Sequence, residues 1–396
     1  FINDDKYTPS EPYLLGHYFS LNNGGILFDL DFMRLKGGRL VHSDDVDSPY
    51  SLFISSADIP SVLIDFSLDI DFFFYRSRWI RLNTRSAYSF PERGANYKVF
   101  GLKLGDLRIG FQDSVVYLDR SFDVEYFLNP LPQYFVQLVT TTAGKPWTET
   151  GNTNSIIGFF LDFKREDYYA YSQFLIDDLN LGFLVPDKEI TIPSKIAWSL
   201  GGYYDFFFGR LGFYHAGATK YTFAATYSNP DGSSRLPYEY TYYPAVQYQK
   251  DGSLVPIEYV DNYLGYKYGE NNLAFQVDYS HSLGGFDLAA RLEYVLSGAK
   301  SPANPWHGVL HYSEEGGGTH MFDYPYLEHR IDLELEAAYN FGPLKLWVRP
   351  LFGGIFNELQ LEAAEDGGKP IFRPREGSNR ALLGLSLGLS YLLDIR

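Results

Sequence analysis

The sequence predicts an all-β fold, a transmembrane antiparallel β-barrel of about 16–18 strands (about 18 favoured), with short periplasmic turns and longer extracellular loops. Apolar and polar residues alternate with a period of two along most of the 396 residues, as in a strand with two different faces. The alternating segments are long enough to cross a bilayer at a tilt. Aromatic residues, 34 Tyr, 32 Phe and 5 Trp in all, gather near many segment ends, as in interfacial girdles.

The clearest alternation predicts one long strand over residues 62–75. Its apolar face holds Val62, Ile64, Phe66, Leu68, Ile70, Phe72 and Phe74, and its polar face holds Asp65, Ser67, Asp69, Asp71 and Tyr75. A helix would scatter these two sets around its circumference, whereas a strand separates them.

Other segments repeat this pattern with turns between them. A turn at 22–25 leads into a strand from Ile26, Gly284-Gly285 joins the strands at 273–280 and 286–297, and Gly342-Pro343 joins those at 331–340 and 344–349. A last alternating strand covers 383–393. These are predicted to be paired antiparallel strands.

The connections differ in length. The longest turn-like stretches are 44–49, 142–154, 228–237, 302–326 and 363–377, whereas Gly105-Asp106 and 164–167 are short. This contrast suits a barrel with one elaborated end. Because no change of composition marks a boundary, we expect a single domain over 1–396, with the barrel at about 13–393 and an N-terminal extension at 1–12.

Composition excludes several classes of protein. The absence of cysteine rules out disulfide scaffolds, Cys-ligated zinc and Cys nucleophiles. A net charge of -16 argues against a nucleic-acid partner. No apolar stretch approaches the roughly 18 residues of a spanning helix. The chain starts at Phe1 without a secretory leader, so we expect a processed or trimmed form whose location is the outer membrane.

A large soluble β-sandwich or propeller is the alternative fold, since soluble antiparallel sheets also alternate. It predicts that Ile64, Leu292, Leu333 and Leu387 are buried by protein, whereas a membrane barrel exposes them to lipid. Charged minority faces such as Asp332, Glu334 and Glu336 favour a water-filled lumen and hence the barrel.

From about residue 101 onward, a series of short motifs occurs in a characteristic order. The motifs are Arg108–Gln112, Phe127–Pro130, Tyr171–Asp178, Tyr238–Thr241, Asn262–Gly265 with Gly269, Arg291–Tyr294 and Pro302–Pro305. In these the chain resembles the Wzi-type capsule-assembly family of outer-membrane barrels. The resemblance implies a barrel of about 18 strands that holds surface polysaccharide without a catalytic step. In that family a helical periplasmic segment precedes the barrel; because alternation already begins at Ile26, we expect that segment to be missing here.

Loop aromatics form the first candidate site, because flat rings cover the apolar side of a sugar while neighbouring carboxylates and amides bind its hydroxyls. The candidate glycan-binding residues are Tyr238, Tyr240, Tyr242, Tyr243, Tyr248, Trp306, Trp147 and Tyr312. For any single ring, the alternative is packing in the girdle or within the loop.

Inward-facing charges form the second candidate site. The predicted lumen-lining residues are Asp65, Asp69, Asp71, Asp278, Asp287, Arg291, Glu293, Asp332, Glu334, Glu336, Lys345 and Arg349. They favour a porin-like diffusion channel for small polar solutes or sugars through an acidic lumen. They also fit a solvated wall whose charges pair across strands.

We expect no metal, no cofactor and no catalytic residue. His307, His311, His320 and His329 lack the close spacing of a zinc site. Asp44, Asp45 and Asp47 could hold calcium, although a solvated acidic turn is the simpler interpretation. A hydrolase at the rim remains a second alternative, with no G-x-S-x-G motif to support it. The expected partners are outer-membrane lipid and surface polysaccharide, with a monomeric barrel and no nucleic acid.

Overall fold

The structure is a computed structural model. It describes residues 23–55, 60–83, 92–118, 120–142, 153–178, 194–225, 238–239, 246–248, 254–256, 264–300, 321–362 and 371–391. The predicted N-terminal extension at 1–12 lies outside these ranges.

Strands make up most of the described residues. The long strands are β1 (Gly24–Leu30), β2 (Met33–Leu40), β3 (Ser61–Ile70), β4 (Phe73–Asn83), β5 (Arg93–Leu104), β6 (Leu107–Leu118), β7 (Thr153–Lys164), β8 (Tyr168–Asp178), β9 (Lys195–Phe206), β10 (Gly209–Ala218), β15 (Asn272–Leu283), β16 (Phe286–Ser297), β17 (Glu328–Phe341), β18 (Leu344–Phe356) and β21 (Arg380–Tyr391). Short strands in the connections are β11 (Ala224–Ala225), β12 (Tyr238–Glu239), β13 (Val246–Tyr248), β14 (Leu254–Pro256), β19 (Leu359–Glu362) and β20 (Ile371–Pro374). The two helices are α1 (Val124–Leu128) and α2 (Gln133–Thr142).

All long strands form one sheet of 15 strands in the order of the chain. Each pairs antiparallel with its neighbour, and β10 pairs with β15 and β18 with β21 across the inserted short strands. The predicted all-β, antiparallel architecture is confirmed. Within the described ranges this large sheet has 15 strands, against the predicted count of about 16–18.

The connections alternate between short and long. Short turns join β1 to β2, β3 to β4, β5 to β6, β7 to β8, β9 to β10, β15 to β16 and β17 to β18. Since successive strands run in opposite directions, all these turns lie at one end, which we call the turn end, and the long connections lie at the other, the loop end. By the rule for outer-membrane barrels, the turn end is periplasmic.

The predicted single strand at 62–75 is wrong in its extent. Asp71 and Phe72 form the turn between β3 and β4. The turn changes the alternation: Phe74, predicted on the outward face, is inward and buried, and Tyr75, predicted on the polar face, packs outside against Phe100. The run of aromatic residues 72–75 conceals the turn, because hydrophobicity does not distinguish a ring in the turn from a ring that faces inward or outward.

One face of the sheet is exposed and apolar. Leu292 is 46% exposed and Leu387 is 70% exposed, so the burial that a soluble sandwich requires does not occur there. Leu333 is partly exposed on the same face, while Ile64 is half-buried beneath the helices. A single large antiparallel sheet with an apolar exterior is the architecture of a transmembrane barrel.

The helices lie against the outside of β4–β7, in the connection between β6 and β7. Asp123 caps the start of α1, and its side chain accepts hydrogen bonds from the backbone N–H groups of Glu125 and Tyr126. Tyr126 and Val136 pack with Trp79, Val115 and Tyr117 in a small buried cluster. Within the described ranges, neither helix has the length and hydrophobicity needed to cross a membrane.

Candidate functional site

The connection between β2 and β3 folds into the interior of the barrel. We call its residues 41–55 the inner segment. Tyr50, Leu52 and Phe53 are fully buried, and Phe53 packs against the inward ring of Tyr97 with centroids 6.2 Å apart. A polar, turn-like stretch of sequence therefore supplies part of the main hydrophobic core.

Asp44 organises the inner segment. Its Oδ2 accepts hydrogen bonds from the backbone N–H groups of Leu52 (3.1 Å) and Phe53 (3.3 Å), so one carboxylate closes the segment into a compact loop. Gln173 on β8 donates to the same oxygen at 2.8 Å. Burial raises the pKa of Asp44 to about 6, and burial lowers the pKa of His42 to about 3.

Asp45, which follows Asp44, joins the inner segment to β4, β5 and β6 by hydrogen bonds. The Asp45 carboxylate accepts from Arg76 Nη1 on β4 at 2.6 Å and from the Tyr97 hydroxyl on β5 at 3.1 Å. Its backbone carbonyl accepts from Arg108 Nη2 on β6 at 2.9 Å. Three neighbouring strands thus hold one residue of the segment.

Ser48 and Tyr50, later in the inner segment, form hydrogen bonds with β8, β9 and β16. Ser48 Oγ shares hydrogen bonds with the Tyr171 hydroxyl (2.5 Å) and with Ser199 Oγ (3.3 Å). The Tyr50 hydroxyl donates to Glu293 Oε1 at 2.8 Å. Strands as far apart in the sheet as β4 and β16 therefore touch one short segment, so the sheet curls around it.

A second inner segment, residues 264–271, covers the first. The backbone N–H of Ser55 donates to the Leu264 carbonyl at 2.5 Å, and a Cβ on Gly265 would lie 2.4 Å from the Leu52 carbonyl oxygen. Lys267 Nζ lies 2.6 Å from Glu293 Oε1 and 4.9 Å from the centres of the Tyr50 and Tyr268 rings. The two segments and β16 thus share a buried aromatic and ionic cluster.

The predicted lumen-lining residues on the strands face away from the exposed apolar rows. Several form ion pairs within the barrel: Asp65 pairs with Arg78, Asp69 with Lys103, Asp287 with Lys345 (3.6 Å), Arg291 with Glu334, Asp332 with Arg330 (2.6 Å) and Glu336 with Arg349 (2.6 Å). Asp278 accepts from the Gln276 amide at 2.9 Å. Asp71 differs from these because it lies in the turn between β3 and β4. Their role in a solute pathway stays a prediction.

A cavity of about 370 Å³ lies near the turn end. Asp205, Arg210, Ser280, Asp287 and Glu336 contribute to its lining. Asp205 already holds Arg210 through two hydrogen bonds of 2.7 and 2.8 Å. The inner segments therefore fill part of the interior, while a charged cavity remains near the turn end beside β9, β10, β15, β16 and β17.

The predicted glycan-binding aromatics fall almost entirely outside the described ranges. Trp147, Tyr240, Tyr242, Tyr243, Trp306 and Tyr312 lie outside them. Tyr238 belongs to β12 and Tyr248 to β13, both short strands in the long connection between β10 and β15. The prediction that these rings bind a sugar stays untested.

The interpretation of residues 44–47 as a solvated acidic turn is wrong. Asp44 is buried among backbone N–H groups and Asp45 is paired with Arg76, so this is not a solvated acidic turn. Across the described residues, no group of three or more His, Asp or Glu side chains could hold a metal ion. His307, His311 and His320 lie outside those residues, and His329 bonds the Tyr294 hydroxyl at 2.8 Å.

Sequence reasoning missed the inner segment and the outer helices. Two signals for the helices were present: Asp123 and Pro132 stand at the positions before a helix start, where capping residues and proline are common. For the inner segment, four of the five residues 50–54 are apolar or aromatic within a polar connection, which is unusual for a stretch facing water.

No family model matches the sequence, and no curated protein matches it. Among solved structures, Wzi of Escherichia coli, described as an outer-membrane carbohydrate-binding β-barrel involved in group 1 capsule assembly, is 14% identical, covering 91% of this chain and 72% of that chain with a TM-score of 0.49. OprD of Pseudomonas aeruginosa is 10% identical, covering 90% of this chain and 77% of that chain with a TM-score of 0.40. OmpT, an outer-membrane protein of Vibrio cholerae, is 10% identical, covering 93% of this chain and 79% of that chain with a TM-score of 0.32.

Identities this low transfer no function. The strand order, the apolar exterior and the difference between the two ends are properties of this chain itself. By these properties, the chain is an antiparallel transmembrane β-barrel of the outer-membrane kind.

Proposed function

We propose that the protein is a plugged outer-membrane barrel that binds or retains surface or capsular polysaccharide at its loop end, without a catalytic step. The proposal rests first on the inner segment, which lies inside the barrel. Its side chains and backbone form hydrogen bonds with β4, β5, β6, β8, β9 and β16. A passage for freely diffusing solutes would require this segment to move.

The composition of the loop end supports a sugar as ligand. The long connection between β10 and β15 holds five tyrosines within residues 238–248, together with Glu239 and Gln247. Aromatic faces with adjacent amides and carboxylates are the groups that bind pyranose rings. A plugged barrel provides a rigid platform for such loops, since a scaffold fixes the positions of binding loops.

The test is isothermal titration of the intact barrel in nanodiscs with the capsular or surface polysaccharide of its own bacterium. We expect saturable binding, and at least tenfold weaker binding for the triple variant Y240A/Y242A/Y243A. Tyr391→Ala is the matched control, because Tyr391 is an exposed ring on the outer face of β21 near the turn end. An intact barrel that binds no polysaccharide would overturn the proposal.

A diffusion channel is the second candidate, favoured by the charged cavity at the turn end. In this alternative the inner segment acts as a gate and the cavity as the periplasmic vestibule for small polar solutes. Solute flux into liposomes distinguishes the two functions. Swelling in sugar solutions at rates typical of an open pore would favour the channel over the polysaccharide-binding barrel.

A further inference from the structure

A polar patch interrupts the lipid-facing surface of the barrel at β4–β6. Ser77, Asn96, Lys98 and Asp113 occupy outward positions in the same alternation as exposed Leu102. Lys98 is as many residues from the turn at Gly105 as Leu292 is from the turn at Gly285. Since Leu292 belongs to the exposed apolar surface, the patch lies at the depth where other strands meet hydrocarbon.

Charged groups at this depth are costly on a lipid-facing wall. The segment 120–142, which we call the helical pair, covers them. Lys98 Nζ donates to the backbone carbonyls of Asn129 and Leu131, the latter at 3.0 Å. Asp113 Oδ2 accepts from the backbone N–H groups of Gln133 and Tyr134 at the start of α2, the latter at 3.2 Å.

Neutral contacts complete the interface. Ser77 Oγ donates to the Phe127 carbonyl at 2.8 Å, and Trp79 Nε1 donates to the Ser121 carbonyl at 2.5 Å. Lys98 and Asp113 are completely buried as a result. Backbone carbonyls that follow α1 thereby accept hydrogen bonds from Lys98, and backbone N–H groups at the start of α2 donate to Asp113. In turn, these two side chains are partners for backbone groups that a helix end leaves without a partner inside the helix.

The opposite face of the helical pair is exposed and apolar. It presents Val124, Leu128, Leu131, Phe135 and Val139, with Phe135 52% exposed. Glu125 is the only charged residue between 124 and 142. This face continues the apolar surface of the neighbouring strands, where Phe159 and Leu161 on β7 are also exposed.

We propose that the helical pair is an interfacial membrane element that lies among the acyl chains of the outer leaflet. Its position at the loop end places it in the outer half of the bilayer. Acyl chains are the occupant that fits, because the face is apolar with Glu125 as the only charged residue of 124–142, adjoins lipid-facing strands and lies at their depth. The inference does not depend on polysaccharide binding.

The absence of cysteine permits a direct test by spin labelling. Single variants Phe135→Cys and Val139→Cys carry a nitroxide in the intact barrel, reconstituted in phosphatidylethanolamine–phosphatidylglycerol liposomes. Leu292→Cys serves as the lipid control and Glu166→Cys, in the turn between β7 and β8, as the water control. The measurement is relaxation of the label by oxygen and by a water-soluble nickel chelate.

We expect both helix labels to match the Leu292 label, with high oxygen accessibility and low nickel accessibility. Nickel accessibility equal to that at Glu166 would overturn the proposal, because the face would then be in water. Dipolar broadening between labels on different molecules would also overturn it, because a second copy would then cover the face.

Discussion

The Tyr50 hydroxyl donates a hydrogen bond of 2.8 Å to Glu293 Oε1, joining the inner segment to a strand 243 residues later in the chain. Lys267, from the second inner segment, lies 2.6 Å from the same carboxylate oxygen. One buried carboxylate on the barrel wall therefore holds two segments that descend from different connections. Charge-assisted hydrogen bonds of this kind are stronger than neutral ones.

Tyr50→Phe should weaken the docking of the inner segment by about 2 kcal/mol, because it removes a hydrogen bond to a charged group and leaves the ring in place. The measurement is the frequency of transient conductance events in a planar bilayer, which we expect to rise. Tyr391→Phe, on the outer face of β21, is the control. Equal event frequencies in the two variants would show that the Tyr50 bond does not hold the segment.

Asp44 and His42 should respond to pH in opposite directions. Burial raises the pKa of Asp44 from 3.8 to about 6, so its contribution to docking is complete below pH 4 and is lost as the pH rises through 6. Burial lowers the pKa of His42 from 6.5 to about 3, so its contribution is present above pH 6.5 and is lost as the pH falls through 3.

The two variants separate these effects. Asp44→Asn should make conductance events more frequent at pH 5 than at pH 7.5, because only the histidine effect remains. His42→Gln should give the reverse, because only the carboxylate effect remains. Each effect is at most about 3–5 kcal/mol. Variants with the same pH dependence as each other would contradict both assignments.

Asp113→Ala should lower the stability of the barrel by about 2–3 kcal/mol, since two backbone N–H groups of α2 lose their acceptor in a buried interface. The midpoint of thermal unfolding, followed by the shift between folded and unfolded bands on a gel, measures this. Asp106→Ala removes an exposed partner of Arg165 and should change the midpoint little. A midpoint for Asp113→Ala as high as that of Asp106→Ala would mean that the contact contributes nothing.

Gly101→Ala should destabilise the barrel by about 1–3 kcal/mol, the usual cost of overpacking. A Cβ at Gly101 would lie 2.0 Å from the inward ring of Phe74, which is itself packed near Phe160. Gly37→Ala is the matched control, because its Cβ would meet only atoms 3.8 Å or farther away. Unfolding midpoints that fall equally for both variants would argue against steric crowding as the cause.

The sequence predicts the wall of the barrel well, and physical reasons explain why. Each strand repeats one rule, apolar toward lipid and polar toward the interior, so that the outward positions of Leu292, Leu333 and Leu387 follow from parity alone. The rule fails where a turn shifts the alternation, as at Asp71 and Phe72, since hydrophobicity alone does not mark a chain reversal.

The contents of the interior could not be predicted in the same way. The burial of Asp44 depends on hydrogen-bond donors from Leu52, Phe53 and Gln173, the last being 129 residues away. Likewise, the alternation predicts an apolar residue at the outward position of Lys98, and only the contact with the helical pair explains the lysine. Both features arise from contacts between distant parts of the chain, which no local pattern contains.

Planar-bilayer conductance of the intact barrel tests the plugged interior most directly. A variant with residues 43–54 replaced by a Gly-Ser linker is the comparison, after its folding is verified by the gel shift. We predict that the intact barrel shows no stable open-channel current and that the variant conducts. A stable current through the intact barrel equal to that of the variant would contradict the plugged interior and, with it, the preference for polysaccharide binding over solute diffusion.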